Sequence, residues 1–139
     1  MRAVAGVVVG VAVWWTVFLL STFLIVALWP ASEELRHAIF EDRNYSVLPT
    51  AMLAMFLFMY LPIGLVSGFV TAAITKKRWH TWLAAAPITA YAILQHLFVL
   101  WDNLPNWYNV AVVAIIAPFI VLGGNFWRSA EARVAILPP

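Results

Sequence analysis

The chain has 139 residues, of which 65% are hydrophobic and 10% charged, whereas a soluble domain is about half apolar and a quarter charged. So short a chain has too little interior to hide that much apolar surface, and lipid must solvate part of it. A net charge of +2 gives no basic stripe for nucleic acid, and the absence of cysteine excludes disulfides, thiolate metal sites and cysteine nucleophiles.

Four stretches are apolar enough to cross a bilayer as helices, at about residues 3–28, 50–74, 82–100 and 108–126, and none contains Asp, Glu, Lys or Arg. Helix is required because an open sheet edge in lipid leaves backbone groups unpaired. The first stretch is longer than a signal-peptide core and no small-x-small site closes it, so it is read as a retained span. It carries Gly6-x-x-x-Gly10, a spacing that lets helix backbones approach closely. Mid-span Trp14 and Trp15 each bring an indole N–H that needs an acceptor in a dry place. Thr16, Ser21, Thr22, Tyr60 and Ser67 are the candidate acceptors, and a pocket lined by these rings is the functional alternative to simple packing.

Residues 32–43, SEELRHAIFEDR, form a short amphipathic candidate in the first loop. Ser32 can cap it, and Glu33, His37 and Glu41 share one face. Glu34-x-x-His37 has carboxylate–histidine spacing, but a di-iron bundle needs two such motifs and further carboxylates, so a surface ion-pair helix is expected and no metal.

In the second span Gly64-x-x-x-Gly68 lies at a depth similar to Gly6 and Gly10, and the two pairs are expected to pack together, dimerisation being the alternative use. The following loop sets Lys76, Lys77 and Arg78 beside Trp79 and Trp82, which suits anchoring at anionic headgroups. The third span holds Tyr91, Gln95 and His96. The histidine needs a partner from Tyr91, Gln95, Asp102 or the fourth span, and is either a packed residue or a ligand group. A lone histidine cannot supply bis-histidine haem ligation.

The stretch WDNLPNWYNV, residues 101–110, reads as a reversal: Asp102, Asn103, Pro105 and Asn106 are turn formers, and Trp101, Trp107 and Tyr108 are interface anchors. Pro62, Pro87 and Pro118 fall inside spans two, three and four. Pro49, Pro62 and Gly68 recur at the same spacing as Pro105, Pro118 and Gly124, which points to two parallel-related helical hairpins.

Cations set the orientation. Arg2, Lys76, Lys77, Arg78, Arg128 and Arg133 fall on one side, Arg36 and Arg43 on the other, so both termini are expected in the cytoplasm. No G-x-S-x-G, H-E-x-x-H or G-x-x-x-x-G-K is present, and no span offers a carboxylate for proton or cation coupling. GLVSGFVTAAI and WDNLPNWYNVAVVAIIAPFIVLGG, with Pro118 followed by Gly123 and Gly124, resemble a widespread family of uncharacterised small bacterial inner-membrane proteins. The resemblance implies a four-helix topology and no particular activity.

The expectation is therefore an all-α, integral membrane four-helix bundle forming one domain in a bacterial cytoplasmic membrane, without cofactor, metal or nucleic acid. Its leading role is that of a non-enzymatic accessory or assembly partner of a larger membrane system, through a membrane-protein partner or a homo-oligomer. The alternative is a carrier or binder of a lipid or apolar small molecule, with Trp14, Trp15, Tyr60, Tyr91, Gln95 and His96 at its site. A membrane enzyme is a third class, weakened by the lack of a paired acid and base. Because the chain has no cysteine, the topology is directly testable. Ala38→Cys should react with an impermeant maleimide in intact cells, and Trp79→Cys only after permeabilisation; the reverse pattern contradicts the orientation.

Overall fold

A chain bathed in lipid must pair its backbone N–H and C=O groups within its own helices. The computed structural model describes residues 1–29, 32–42 and 44–134, except for the side chains of Ser32 and of residues 128–134, so Arg43 and the side chains of Arg128 and Arg133 lie outside the described part. Among the described residues the fold is all-α. Helix α1 (Arg2–Leu28) is followed by α2 (Ser32–Phe40), a 3-10 turn (Tyr45–Val47), α3 (Thr50–Thr75), α4 (His80–Ile93) with a π-helical turn (Leu94–Val99), and α5 (Asn106–Val134). Four helical stretches are long and apolar enough to span a membrane: Arg2–Leu28, Thr50–Thr75, His80–Val99 and Asn106–Trp127. Pro62, Pro87 and Pro118 all lie inside continuous helices.

The spans form a ring. Helix α1 packs on α3, α3 on α5, α5 on α4, and α4 closes back on α1 while also touching α3. One end of the bundle carries the N-terminus and the turn at residues 76–79 and is called here the terminal end. The opposite, loop end carries α2 and the turn at residues 101–105.

Small residues dominate the contacts in the terminal half. Gly6 and Gly10 of α1 face Thr75 and Thr71 of α3, and Ser67 Oγ donates to the Gly10 carbonyl at 2.9 Å. Gly64 and Gly68 do not meet the α1 glycines as expected. They serve α5: a Cβ at Gly64 would strike Phe119, and one at Gly68 would strike the Ile120 carbonyl. The reason is angular. Helix α3 turns Ser67, Thr71 and Thr75, spaced four apart, toward α1, and the stripe of Gly64 and Gly68 lies about 100° around the helix from Ser67. Gly123 in turn lies on the backbone of Leu65, and Gly124 on Thr81 of α4.

Helices α3 and α5 run parallel at this contact. Gly64 meets Ile120 and Gly68 meets Gly124, pairs separated by the same spacing as Pro62 and Pro118. This is the contact expected of hairpins α1–α3 and α4–α5 related by an axis along the membrane normal. Helix α3 ends where Lys76 takes a left-handed conformation (φ 59°) and returns its N–H to the Ala72 carbonyl at 2.8 Å. The Lys76 ammonium rests 5.4 Å from the centre of the Trp127 ring.

Helix α2 lies against the loop end. Leu35 and Ile39 are buried with Ile25 and Val26 of α1 and Met52 of α3, and Phe40 stacks on Phe23 at 5.4 Å. Its other face carries His37, 3.1 Å from Glu41 and 3.2 Å from Asp42, and Arg36, 4.0 Å from Glu33. These exposed pairs add little stability; the two buried aliphatic residues dock the helix.

The glycine contacts differ in what they tolerate. At Gly68 a methyl group meets backbone, which cannot yield, so Gly68→Ala should cost about 1–3 kcal/mol by overpacking. At Gly6 the obstacle is the Thr75 and Ile74 side chains, which can rotate, so Gly6→Ala should cost less. Thermal unfolding in mild detergent should rank the variants in that order; a Gly68→Ala protein as stable as the parent contradicts the packing.

Candidate functional site

Bulky rings occupy the loop half of the bundle, where the terminal half has glycines. Trp14 stacks on Phe18 at 5.2 Å, Phe18 on Tyr60 at 5.6 Å, and Trp14 on Tyr60 at 6.0 Å. Flat rings set between four helices leave a gap, a cavity of about 280 Å³ walled by all four spans. Ile39 and Phe40 of α2, with Tyr45 and Leu48, border it at the loop end. Among the described residues no Asp, Glu, Lys or Arg lines it. Its polar groups are few, as in most small-molecule sites. They are Thr22, Tyr45, Tyr60, Tyr91, Gln95, His96 and Tyr108.

His96 is the best-defined of these groups. The wide π-helical turn, closed by Leu100 N–H on the Gln95 carbonyl at 2.8 Å, keeps His96 on the inward face below Ala92 and Ile88. Its Nδ1 lies 2.9 Å from Oδ1 of Asn109, a residue with no exposed surface. The Asn109 amide nitrogen is committed elsewhere, to the carbonyl of Leu100 at 3.4 Å, which also accepts from the Asn103 and Leu104 N–H groups, and to that of Leu104 at 3.3 Å. An NH₂ can only donate, so the oxygen faces His96 and Nδ1 carries the hydrogen. In the neutral ring Nε2 is then a bare acceptor. Among the described residues no group of the chain pairs with it.

Trp14 adds a second open valence. Its indole N–H is buried and has no acceptor. The acceptors expected from sequence do not reach it; Ser67, for one, bonds to the Gly10 carbonyl.

Of the six residues proposed from sequence, the fold brings Trp14, Tyr60, Tyr91, Gln95 and His96 around one cavity. Trp15 stands outside the lining and packs edge-on against Tyr91 at 4.7 Å. Trp79, Trp82, Trp101 and Trp107 are exposed at the helix ends, as are Lys76, Lys77 and Arg78. Tyr108 is corrected: grouped with Trp107 as an interface anchor, it is 4% exposed and borders the cavity, because adjacent helical positions point about 100° apart. Asn109 was missed. An amide only three residues into an apolar span was its one available signal, masked by the turn formers just before it. His80 opens α4, buried, with Nδ1 unpartnered among the described residues. No group of three or more potential metal ligands occurs among the described residues.

Compared with protein-family models, curated proteins and solved structures, the chain matches none. The functional reading therefore rests on its own geometry.

Proposed function

We propose that the chain is a non-enzymatic multi-pass membrane protein that binds a neutral lipid or apolar small molecule in the loop-end cavity, as a binder or carrier. The observation that carries this reading is the cavity itself: aromatic walls and a buried histidine, with no charged side chain in the lining and no partner for Nε2 of that histidine among the described residues. A charged ligand would lose its hydration there and gain no counter-ion. Among the described residues the lining holds no carboxylate to oppose a base, as hydrolytic or transfer chemistry needs.

The cation distribution supports a bacterial cytoplasmic membrane with both termini inside, which turns the cavity and α2 toward the outer leaflet. An accessory or assembly role uses the outward apolar faces of the helices, which every membrane helix presents to lipid, and does not require a cavity.

Thr22 borders the cavity and is half-buried, so Thr22→Trp should fill the space without breaking a contact between helices. Protein stripped of lipid in mild detergent should melt several degrees higher when the neutral fraction of a membrane lipid extract is added back, since a ligand of the folded state raises the transition. The Thr22→Trp protein should fold, by circular dichroism, and show no such rise. If no lipid fraction shifts the parent protein, the binding role is wrong.

A further inference from the structure

We infer that the cavity selects a hydroxyl-bearing neutral amphiphile, whose O–H is donated to Nε2 of His96 while its body lies against Trp14, Phe18 and Tyr60. This rests on the binding role proposed above and adds the chemistry of the ligand's head.

The argument runs through the tautomer. Leu100 and Leu104 offer carbonyls, which fix the Asn109 amide; Asn109 then offers an oxygen, which places hydrogen on Nδ1; Nε2 is left with a lone pair. An ether, ester or quinone brings only further lone pairs to that nitrogen. An alcohol, phenol or quinol brings the missing hydrogen. The neighbouring Tyr108 ring stands edge-on to His96 at 5.8 Å and does not hydrogen-bond to it, so it does not take the ligand's place. Trp14, Phe18 and Tyr60 stack within 30° of parallel and form a flat wall, which suits a ring. The site thereby prefers the reduced, hydroxyl-bearing member of a quinone–quinol pair to its oxidised form.

A site built to bond a hydroxyl discriminates against the analogue that lacks it. The test uses full-length protein in mild detergent under reducing conditions, with binding followed by quenching of tryptophan fluorescence. The probes are an alkyl-hydroquinone, its dimethyl ether, and a diacylglycerol. The parent protein should bind the hydroquinone at least about tenfold more tightly than the ether. Competition by the diacylglycerol at similar concentration would assign the site to aliphatic alcohols as well as ring hydroxyls.

His96→Phe keeps a ring in place but removes the acceptor, and should bind both hydroquinone and ether with the ether's affinity. Asn109→Leu should narrow the preference without touching the ligand, because the tautomer is no longer held. Nitrogen NMR of the unliganded parent gives a readout independent of any variant's folding, and should show Nδ1 protonated and Nε2 bare. Equal affinity of the parent for hydroquinone and ether, or a protonated Nε2, overturns the inference while leaving the cavity a lipid site. Failure of all three probes to bind overturns the binding role itself.

Discussion

The structure depends on how closely α3 and α5 approach at Gly64, Gly68 and Gly123. Lipid tails are as apolar as the side chains, so helices in a membrane gain nothing from hiding oil and associate through packing and interhelical hydrogen bonds. At these glycines the two backbones touch, with the Ile120 carbonyl where a Cβ of Gly68 would be and the Leu65 backbone where one of Gly123 would be. This contact fixes the pair as parallel neighbours. The flanking helices then have one choice of place: α1 along the Ser67–Thr71–Thr75 stripe of α3, and α4 against Gly124 through Thr81. The large rings of Trp14, Phe18, Tyr60 and Tyr108 occupy the loop half, and the cavity is what they leave open.

A cavity in lipid could be featureless, and this one is not. Asn109 ties together three groups at the loop end: the carbonyls of Leu100 and Leu104 and one nitrogen of His96. Burying such a network is affordable only when each member is paired. Among the described residues every member is paired except Nε2 of His96. The polarity of the site is thus directional, and it follows from backbone geometry at the end of a helix more than from the histidine alone.

Much of the fold is legible in the residues because lipid enforces it. Four uncharged runs of sufficient length leave few alternatives, and α2 announces itself through its alternating polar and apolar faces. The glycine pairs were recognisable as packing devices, yet their partners were not. A helix apolar on all sides gives no clue to which of its faces meets which neighbour, and so Gly64 and Gly68 were matched with α1 when they belong to α5. Tyr108 and Asn109 were misjudged or missed for a related reason: they follow a run of turn formers, and only the rotation of α5 shows that Trp107 faces out while its two successors face in. The π-helical turn that seats His96 has no sequence signature in an apolar segment. His96 itself stood out, as did the need for a partner, which the fourth span supplies.

The central claim is that the loop half of this bundle holds a partly open cavity that another molecule fills. Native mass spectrometry of the protein released from mild detergent tests it most directly. The account predicts a one-to-one adduct with the mass of a neutral amphiphile, retained at collision energies that strip loosely attached detergent. A bare chain at those energies, in protein never exposed to delipidating detergent, would contradict it.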